Sequence, residues 1–265
     1  MQLRPDKLTP MNAPLYEHPE YYALAFGYRD AAAEARVLRE CAARHSGRAV
    51  RDVLEIACGH APYARHWSAA GCAYTGLDAS LAMLRHAREQ AGNRPDGAAR
   101  FVGGDLTAMP FREAFDFAYV LLGSIYAPDT AGLLRHFEGV AEALRPGGLY
   151  VMEWCVDFEP FVDYVDTWRH EYEGVSCTTL YRADHLDRIG QTVIEQVQVT
   201  IETDGVAQEF SSIAQKRVMY PQEFLQFIGR HPCFDFVGWW NDWNLDEPLE
   251  EAESIQRPLI VIRRV

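Results

Sequence analysis

The sequence has 265 residues, 48% hydrophobic and 12% aromatic, enough for one large α/β domain or one domain carrying a substantial insertion. Lys and Arg total 25 against 38 Asp and Glu, and the net charge of −13 repels nucleic acid and anionic membranes, with no Lys/Arg run as a local exception. No stretch approaches the roughly 20 apolar residues of a membrane span. The start, MQLRPDKLTPMNAP, lacks an apolar signal region, so a cytoplasmic location is expected. Six cysteines are scattered without a CxxC pair, and nine histidines without an HExxH, so reduced thiols and no metal are expected.

After an N-terminal segment, Asp30-AAAEARVLRECAARHSG predicts a helix stopped by Gly47. Strands and helices then alternate. Arg51-DVLEIA reads as a buried strand and Pro62-YARHWSAAG as a helix with proline in its first turn. CAYTGLD (Cys72 to Asp78) is a second strand, and Ser80-LAMLRHAREQAG a helix ended by Gly92. ARFVGGD (Ala99 to Asp105) and FDFAYVLL (Phe115 to Leu122) are the third and fourth strands. Thr130-AGLLRHFEGVAEAL has helical apolar spacing, and GGLYVMEW (Gly147 to Trp154) is the fifth strand. Repeated βα units of this length predict a parallel, doubly wound sheet with helices on both faces.

From about Asp157 to Tyr220 the pattern becomes strand-like, with alternation in TVIEQVQVTIE (Thr192 to Glu202) and a turn signal at Asp204-Gly205. This predicts antiparallel strands inserted after the fifth parallel strand. Pro221-QEFLQFIG returns to helix, and FDFVGWW (Phe234 to Trp240) and RPLIVIRRV (Arg257 to Val265) supply two closing strands.

Val53-Leu54-Glu55-Ile56-Ala57-Cys58-Gly59-His60-Ala61-Pro62 is a buried strand ending in a small-residue turn that opens a helix. Small side chains let a ligand approach the backbone, and the helix start offers unpaired N–H groups. The small positions Ala57, Gly59 and Ala61 match the dinucleotide GxGxxG fingerprint poorly. EIACGHA resembles instead the first motif of class I S-adenosylmethionine (SAM)-dependent methyltransferases. Asp78 ending the second strand, GLDAS followed by LAML, Gly104-Asp105-Leu106, FDFAYVLLGSIY and Leu144-Arg145-Pro146-Gly147-Gly148 extend the resemblance, in that family's order, over residues 50–154. The departures are Ala57 and Ala61, where glycine is usual.

The resemblance implies a Rossmann-like, seven-stranded doubly wound sheet with an inserted antiparallel β region. It implies SAM as cofactor, S-adenosylhomocysteine as product and a small-molecule acceptor, most simply an amine nitrogen or a hydroxyl. Cofactor contacts are expected from Glu55, Ala57, Cys58, Gly59, Asp78, Ala79, Met83, Asp105, Leu106 and Leu122. Asp78 would hold the ribose hydroxyls, Met83 would lie against adenine, and Glu55 would organise the loop or face the SAM ammonium. Cys58 is expected to contribute its backbone, not a nucleophile. Tyr21-Tyr22-ALAFGYRDAAAEA and the inserted strands resemble small-molecule N-methyltransferases, including amino-sugar N,N-dimethyltransferases. There an N-terminal tyrosine closes over the cofactor, which implies Tyr22 here, with Tyr28 and Arg29 as alternates; packing on a helix is the competing role for these residues. The expected divisions are an N-terminal lid (1–49), a SAM-binding core (50–155), a substrate cover (156–220) and the end of the core sheet (221–265).

In open α/β sheets ligands sit at the C-terminal strand ends. Ser124 and Tyr126 follow the fourth strand, Glu153 and Trp154 end the fifth, and Glu153 is expected to hold a substrate ammonium. Trp168, His170 and Tyr172 alternate and should share one face of a strand. His170 alone of these titrates near neutrality. The catalytic candidates are thus Tyr22, Tyr126 and His170, with sheet packing the competing role for the stripe, as it is for WWNDW (Trp239 to Trp243). Rival readings are a SAM-cleaving or cyclising enzyme, a nicotinamide oxidoreductase (disfavoured by the loop and by LRPGG) and a non-catalytic SAM binder. Dimerisation through the inserted sheet is a further expectation.

Overall fold

In the computed structural model, which describes residues 13–92 and 99–265, a two-residue strand β1 (Ala13–Pro14) leads into helices α1 (Pro19–Ala25) and α2 (Ala31–His45). The sequence start read above for a signal region lies outside the described residues up to Met11-Asn12. Asp30 caps α2 by accepting from the N–H groups of Ala32 and Ala33. Gly47 is not the helix stop expected. The helix ends at His45, and Gly47 instead crosses Gly147, donating its N–H to the Gly147 carbonyl at 3.0 Å; a Cβ on Gly47 would lie 3.3 Å from Gly147 Cα.

Strand β2 (Asp52–Ile56), helix α3 (Ala64–Ala69), strand β3 (Ala73–Asp78), helix α4 (Leu81–Ala91) and strand β4 (Ala99–Gly103) follow, then β5 (Phe115–Val120), α5 (Thr130–Ala143) and β6 (Leu144–Glu153). Ser80 caps α4 through the Met83 N–H and Asp129 caps α5 through the Gly132 N–H. Strand β5 is buried at every position, as a strand covered on both faces must be. Strand β6 starts earlier than the LRPGG turn implied. Leu144 already pairs with Phe115, and Gly147 at φ 82° shifts the register before Leu149 meets Phe117.

The insertion comprises β7 (Tyr164–Tyr172), β8 (Val175–Asp187), β9 (Thr192–Thr203) and β10 (Val206–Arg217); α6 (Pro221–Arg230), β11 (Phe234–Trp240) and β12 (Leu259–Arg264) complete the chain. Two sheets result. The seven-stranded sheet runs β11-β12-β6-β5-β2-β3-β4, with β12 antiparallel to both neighbours and the other pairings parallel. The second runs β1-β10-β9-β8-β7, antiparallel except that β1 joins β10 in parallel. The chain's first described residues therefore extend the inserted sheet.

Each face of the large sheet buries its own core. Leu54, Ile56, Val120, Phe137, Tyr150 and Phe224 pack on one face, and Val53, Trp67, Tyr74, Phe117, Tyr119 and Val261 on the other. A third cluster, Leu15, Ala25, Cys177, Val197, Val199, Ile201 and Phe210, joins the N-terminal segment to the inserted sheet. Backbone contacts also tie that sheet to the core: the Arg217 N–H donates to the Ala127 carbonyl at 2.7 Å, and Val156 bridges Met219.

Asp116 fastens the sheet at the opposite end from the strand C-termini. Its carboxylate accepts from the N–H groups of Arg51 and Asp52 at 2.9 and 3.0 Å, from Arg145 at 2.9 Å, and pairs with Arg48 at 2.7 Å. Burial pushes its pKa up, but the two backbone donors and Arg145 outweigh it, and the net is below the ordinary aspartate value. A depressed pKa contributes stability above the unfolded-state value near 4, lost as pH falls through the folded value. Asp116→Asn should therefore lower stability at neutral pH by about 2 kcal/mol and flatten the acid limb of a urea-unfolding series taken against pH.

Candidate active site

The turn after β2 is built from backbone that L-residues rarely adopt. Ala57, Gly59 and Ala61 have φ of 55°, 52° and 54°. The Cys58 N–H donates to Leu77 O at 3.0 Å and the Gly59 N–H to Asp78 Oδ2 at 2.7 Å, so the loop is hung from the end of β3. The other Asp78 oxygen accepts the Ser80 N–H at 2.8 Å. Burial raises the Asp78 pKa against these donors. A Cβ built on Gly59 meets nothing within 4 Å, so open space lies before the turn. Cys58 is buried against Gly76, where a Cβ would lie 2.6 Å from its sulfur, and burial holds its thiol well above the ordinary range. It is packing, not a nucleophile.

Glu55 is buried and accepts from the phenols of Tyr74 and Tyr119; burial outweighs those bonds and pushes its pKa up to about 8. Met83 is buried at the start of α4, Ala79 is exposed beside Asp78, and Leu106 is half-buried. Asp105 is exposed, with one oxygen engaged by the Thr107 N–H and hydroxyl at 2.7 and 2.8 Å. His60 lies beside Tyr22 at 5.9 Å between rings, its Nδ1 buried without a partner. Burial and then His86 depress its pKa to about 4, so the imidazole is neutral.

Beneath this loop, four charged side chains meet. Arg29 contacts Glu153 at 2.9 Å and Glu34 at 3.0 Å, and Arg257 contacts Glu34 at 2.5 Å and Glu153 at 3.0 Å. Trp243 donates its indole N–H to Glu153 at 2.8 Å and lies under both guanidinium groups. Glu153 also takes the Leu122 N–H at 3.0 Å, fixing the residue after β5 at φ 56°. Burial raises the Glu153 pKa, but Arg29 and Arg257 outweigh it and keep it ionised. Glu153 has 0% exposure, so its oxygens serve the protein and none is left for a substrate ammonium, contrary to the expectation above.

A second buried network joins the inserted sheet to the post-β5 loop. Glu195, 4% exposed on β9, accepts from Tyr126 at 2.5 Å, Tyr181 at 2.7 Å and Lys216 at 2.6 Å. Lys216 also donates to the Gly123 carbonyl at 3.0 Å. The Tyr16 and Tyr22 rings lie 5.7 Å apart, and after burial the charges of Asp78 and Glu195 act to raise both pKa values. Tyr16, Tyr22 and Tyr126 are half-buried. The β2 loop, the N-terminal tyrosines, the post-β5 loop and the inserted sheet thus meet at the C-terminal strand ends, where open α/β sheets place their ligand cleft.

With that geometry in view, the likeness to known proteins is specific. Residues 53–148 match the family described as "Methyltransferase domain". These residues carry a methyltransferase domain. It is 36% identical to a malonyl-[acyl-carrier protein] O-methyltransferase of Pseudescherichia vulneris over 97 residues, 36% of each chain. It is 28% identical over 193 residues to the dTDP-3-amino-3,4,6-trideoxy-alpha-D-glucopyranose N,N-dimethyltransferase of Streptomyces venezuelae, covering 71% of this chain and 78% of that one. The SAM-bound amino pentose methyltransferase from Micromonospora echinaspora superposes with a TM-score of 0.71 at 20% identity, over 93% of this chain and 97% of the other. The malonyl-group relatives are spanned over less than half of their length, 36 to 48%.

In this methyltransferase domain the sequence candidates separate. Tyr22 lies beside His60 of the β2 loop, Tyr126 bonds Glu195, and Ser124 stands in the same post-β5 loop as Tyr126, half-buried. Trp154 turns out of β6 at φ 55° and is 43% exposed. The β7 stripe divides. Trp168 donates to the Ala25 carbonyl at 2.6 Å and His170 stacks on Tyr28 at 5.8 Å, while Tyr172 at the hairpin tip is 59% exposed. The N-terminal segment covers only the first two. Burial and neighbouring negative charge keep Tyr22 and Tyr126 protonated, so neither is a base at neutral pH. Sequence reasoning missed Tyr16, Tyr181, Glu195 and Lys216, and gave Arg257 no role. Removing one member of the buried quartet leaves the opposite charges uncompensated, so Glu153→Ala should cost about 3–5 kcal/mol in urea unfolding, against less than about 1 kcal/mol for the exposed pair at Arg112–Glu142.

Proposed function

We infer that the chain binds SAM over the ends of β2, β3 and β4 and transfers its methyl group to a small-molecule amine, with S-adenosylhomocysteine as the other product. The residues present fit the cofactor: the turn offers open space at Gly59, Asp78 keeps lone pairs free after its two backbone bonds, and His60 Nδ1 is buried and unpartnered. The bound sulfonium supplies an activated methyl, so the protein needs to position, orient and exclude water more than to activate. Asp78, Glu55 and the loop amides would hold the nucleoside and amino-acid ends, and Tyr16 and Tyr22 would close the cleft over them.

The sign of the charge around the cleft carries the amine reading. Arg29 and Arg257 are matched by Glu34 and Glu153, and Lys216 by Glu195, while Asp78 has no cationic partner within 4.0 Å among the described residues. A carboxylate acceptor, such as the malonyl group named for one set of relatives, would need a cation to hold it, and each of these three is already engaged. An ammonium approaching the same surface is favoured, and once it sheds its proton the neutral amine is a competent nucleophile without a dedicated base. The amino-sugar acceptors named for other relatives belong to that class.

Calorimetric titration of SAM and S-adenosylhomocysteine tests the cofactor. Micromolar binding by the wild type, weakened at least about tenfold (about 1.4 kcal/mol) in Asp78→Ala, is the expected result. Failure of either compound to bind folded protein would overturn the reading.

A further inference from the structure

Strand β9 turns Val193, Glu195, Val197, Val199 and Ile201 to one buried face. A carboxylate in that row is costly unless its lone pairs are used. Burial pushes Glu195 up, but Lys216, Tyr126 and Tyr181 outweigh it and hold it below the ordinary glutamate value, so it is ionised and can only accept. Tyr126, pushed well above its ordinary value by burial and then by Glu195, is protonated and must donate. The direction of their 2.5 Å bond is therefore fixed.

We propose that Glu195 is a positioning residue of the acceptor site: by taking the Tyr126 proton it leaves that phenol oxygen only lone pairs, which receive an N–H of a primary or secondary amine acceptor. The proposal rests on the methyltransferase reading above and adds to it the group that orients the acceptor. Two observations place Tyr126 for the task. It lies in the loop after β5, at the strand ends where open α/β sheets bind ligands, and Lys216, bonded to Glu195, grips the Gly123 carbonyl of the same loop at 3.0 Å. With one N–H held at Tyr126, the amine lone pair is turned toward the sulfonium methyl. The N–C bond forms as the S–C bond breaks, the electron pair stays on sulfur, and the new ammonium loses a proton to solvent.

The test measures initial rates of methyl transfer from labelled SAM to four probes. These are dTDP-3-amino-3,4,6-trideoxyglucose, cyclohexylamine, cyclohexanol and cyclohexanecarboxylate. The proteins are wild type, Tyr126→Phe, Glu195→Gln and the double variant, each with its S-adenosylhomocysteine affinity measured alongside. Glu195→Gln still accepts from Tyr126 through its amide oxygen but weakens its hold, and Tyr126→Phe removes one oxygen only. Turnover of an amine probe is expected, with kcat down about tenfold or more in each single variant. The double variant should be no worse than Tyr126→Phe, and product-nucleoside affinity should change less than about twofold. A structural role alone would make the two losses additive or weaken nucleoside binding with them. Additive losses, unchanged kcat in Glu195→Gln, methylation of the alcohol or acid in preference to an amine, or no amine turnover by protein that binds S-adenosylhomocysteine would each overturn the proposal. Absent nucleoside binding would overturn the cofactor reading instead.

Discussion

The molecule turns on the buried quartet of Arg29, Glu34, Glu153 and Arg257. Two positive and two negative groups removed from water are tolerable only where each charge meets the opposite one at hydrogen-bond distance. Here both carboxylates touch both guanidinium groups, and Tyr63, Trp243 and the Leu122 N–H use remaining acceptor capacity. The four residues come from the start of α2 and the segment before it, the end of β6 and the approach to β12. One electrostatic requirement thus brings the N-terminal segment, the central sheet and the C-terminal segment to the mouth of the cleft. It also decides what the cleft lacks, because cations spent inside the quartet are not offered to a ligand.

The inserted sheet is attached by the same logic on a smaller scale. Lys216 and Glu195 lie in strands that otherwise bury apolar residues, and their pairing takes hold of Gly123 and Tyr126 in the loop after β5. That loop is consequently gripped from both sides, by Glu153 at Leu122 and by Lys216 at Gly123. The segment is thus held by the large sheet on one side and by the inserted sheet on the other.

The parallel strands were legible because a strand covered on both faces is a short unbroken apolar run, as in FDFAYV, and because small residues and an acid recur at the strand ends. Glu153 was misread for a physical reason. Its position at a strand C-terminus is visible in the sequence, but its partners stand 124 and 104 residues away in chain order, and pairing at that range leaves no local pattern. Gly47 was misread because a glycine after a helix has two uses, a left-handed stop or a close backbone crossing, and only the fold brings Gly147 against it. Glu195 is a different case. The alternation of TVIEQVQVTIE places it on the same face as Val193, Val197, Val199 and Ile201, so an acid in an apolar row was there to be read.

Backbone strain has the same geography. Ala57 after β2, Leu122 after β5 and Trp154 after β6 all adopt left-handed φ near 55°, though none is glycine. Each such residue costs about 1–2 kcal/mol relative to relaxed backbone. Other turns carry such residues as well, Glu173 and Asp204 at hairpin tips among them, but these three follow neighbouring strands of the large sheet. Each is held by a bond from outside its own turn. The residue after Ala57 donates to Leu77, Leu122 donates to Glu153, and Trp154 donates to Pro258 at the approach to β12. Strain maintained by surrounding contacts is the mark of a conformation the fold over-determines. The effect is to turn the chain sharply at each strand end. Glycines at Ala57 and Ala61 would relax the turn after β2, but they would also loosen it. Alanine, with its Cβ, restricts the backbone of the loop more than glycine would.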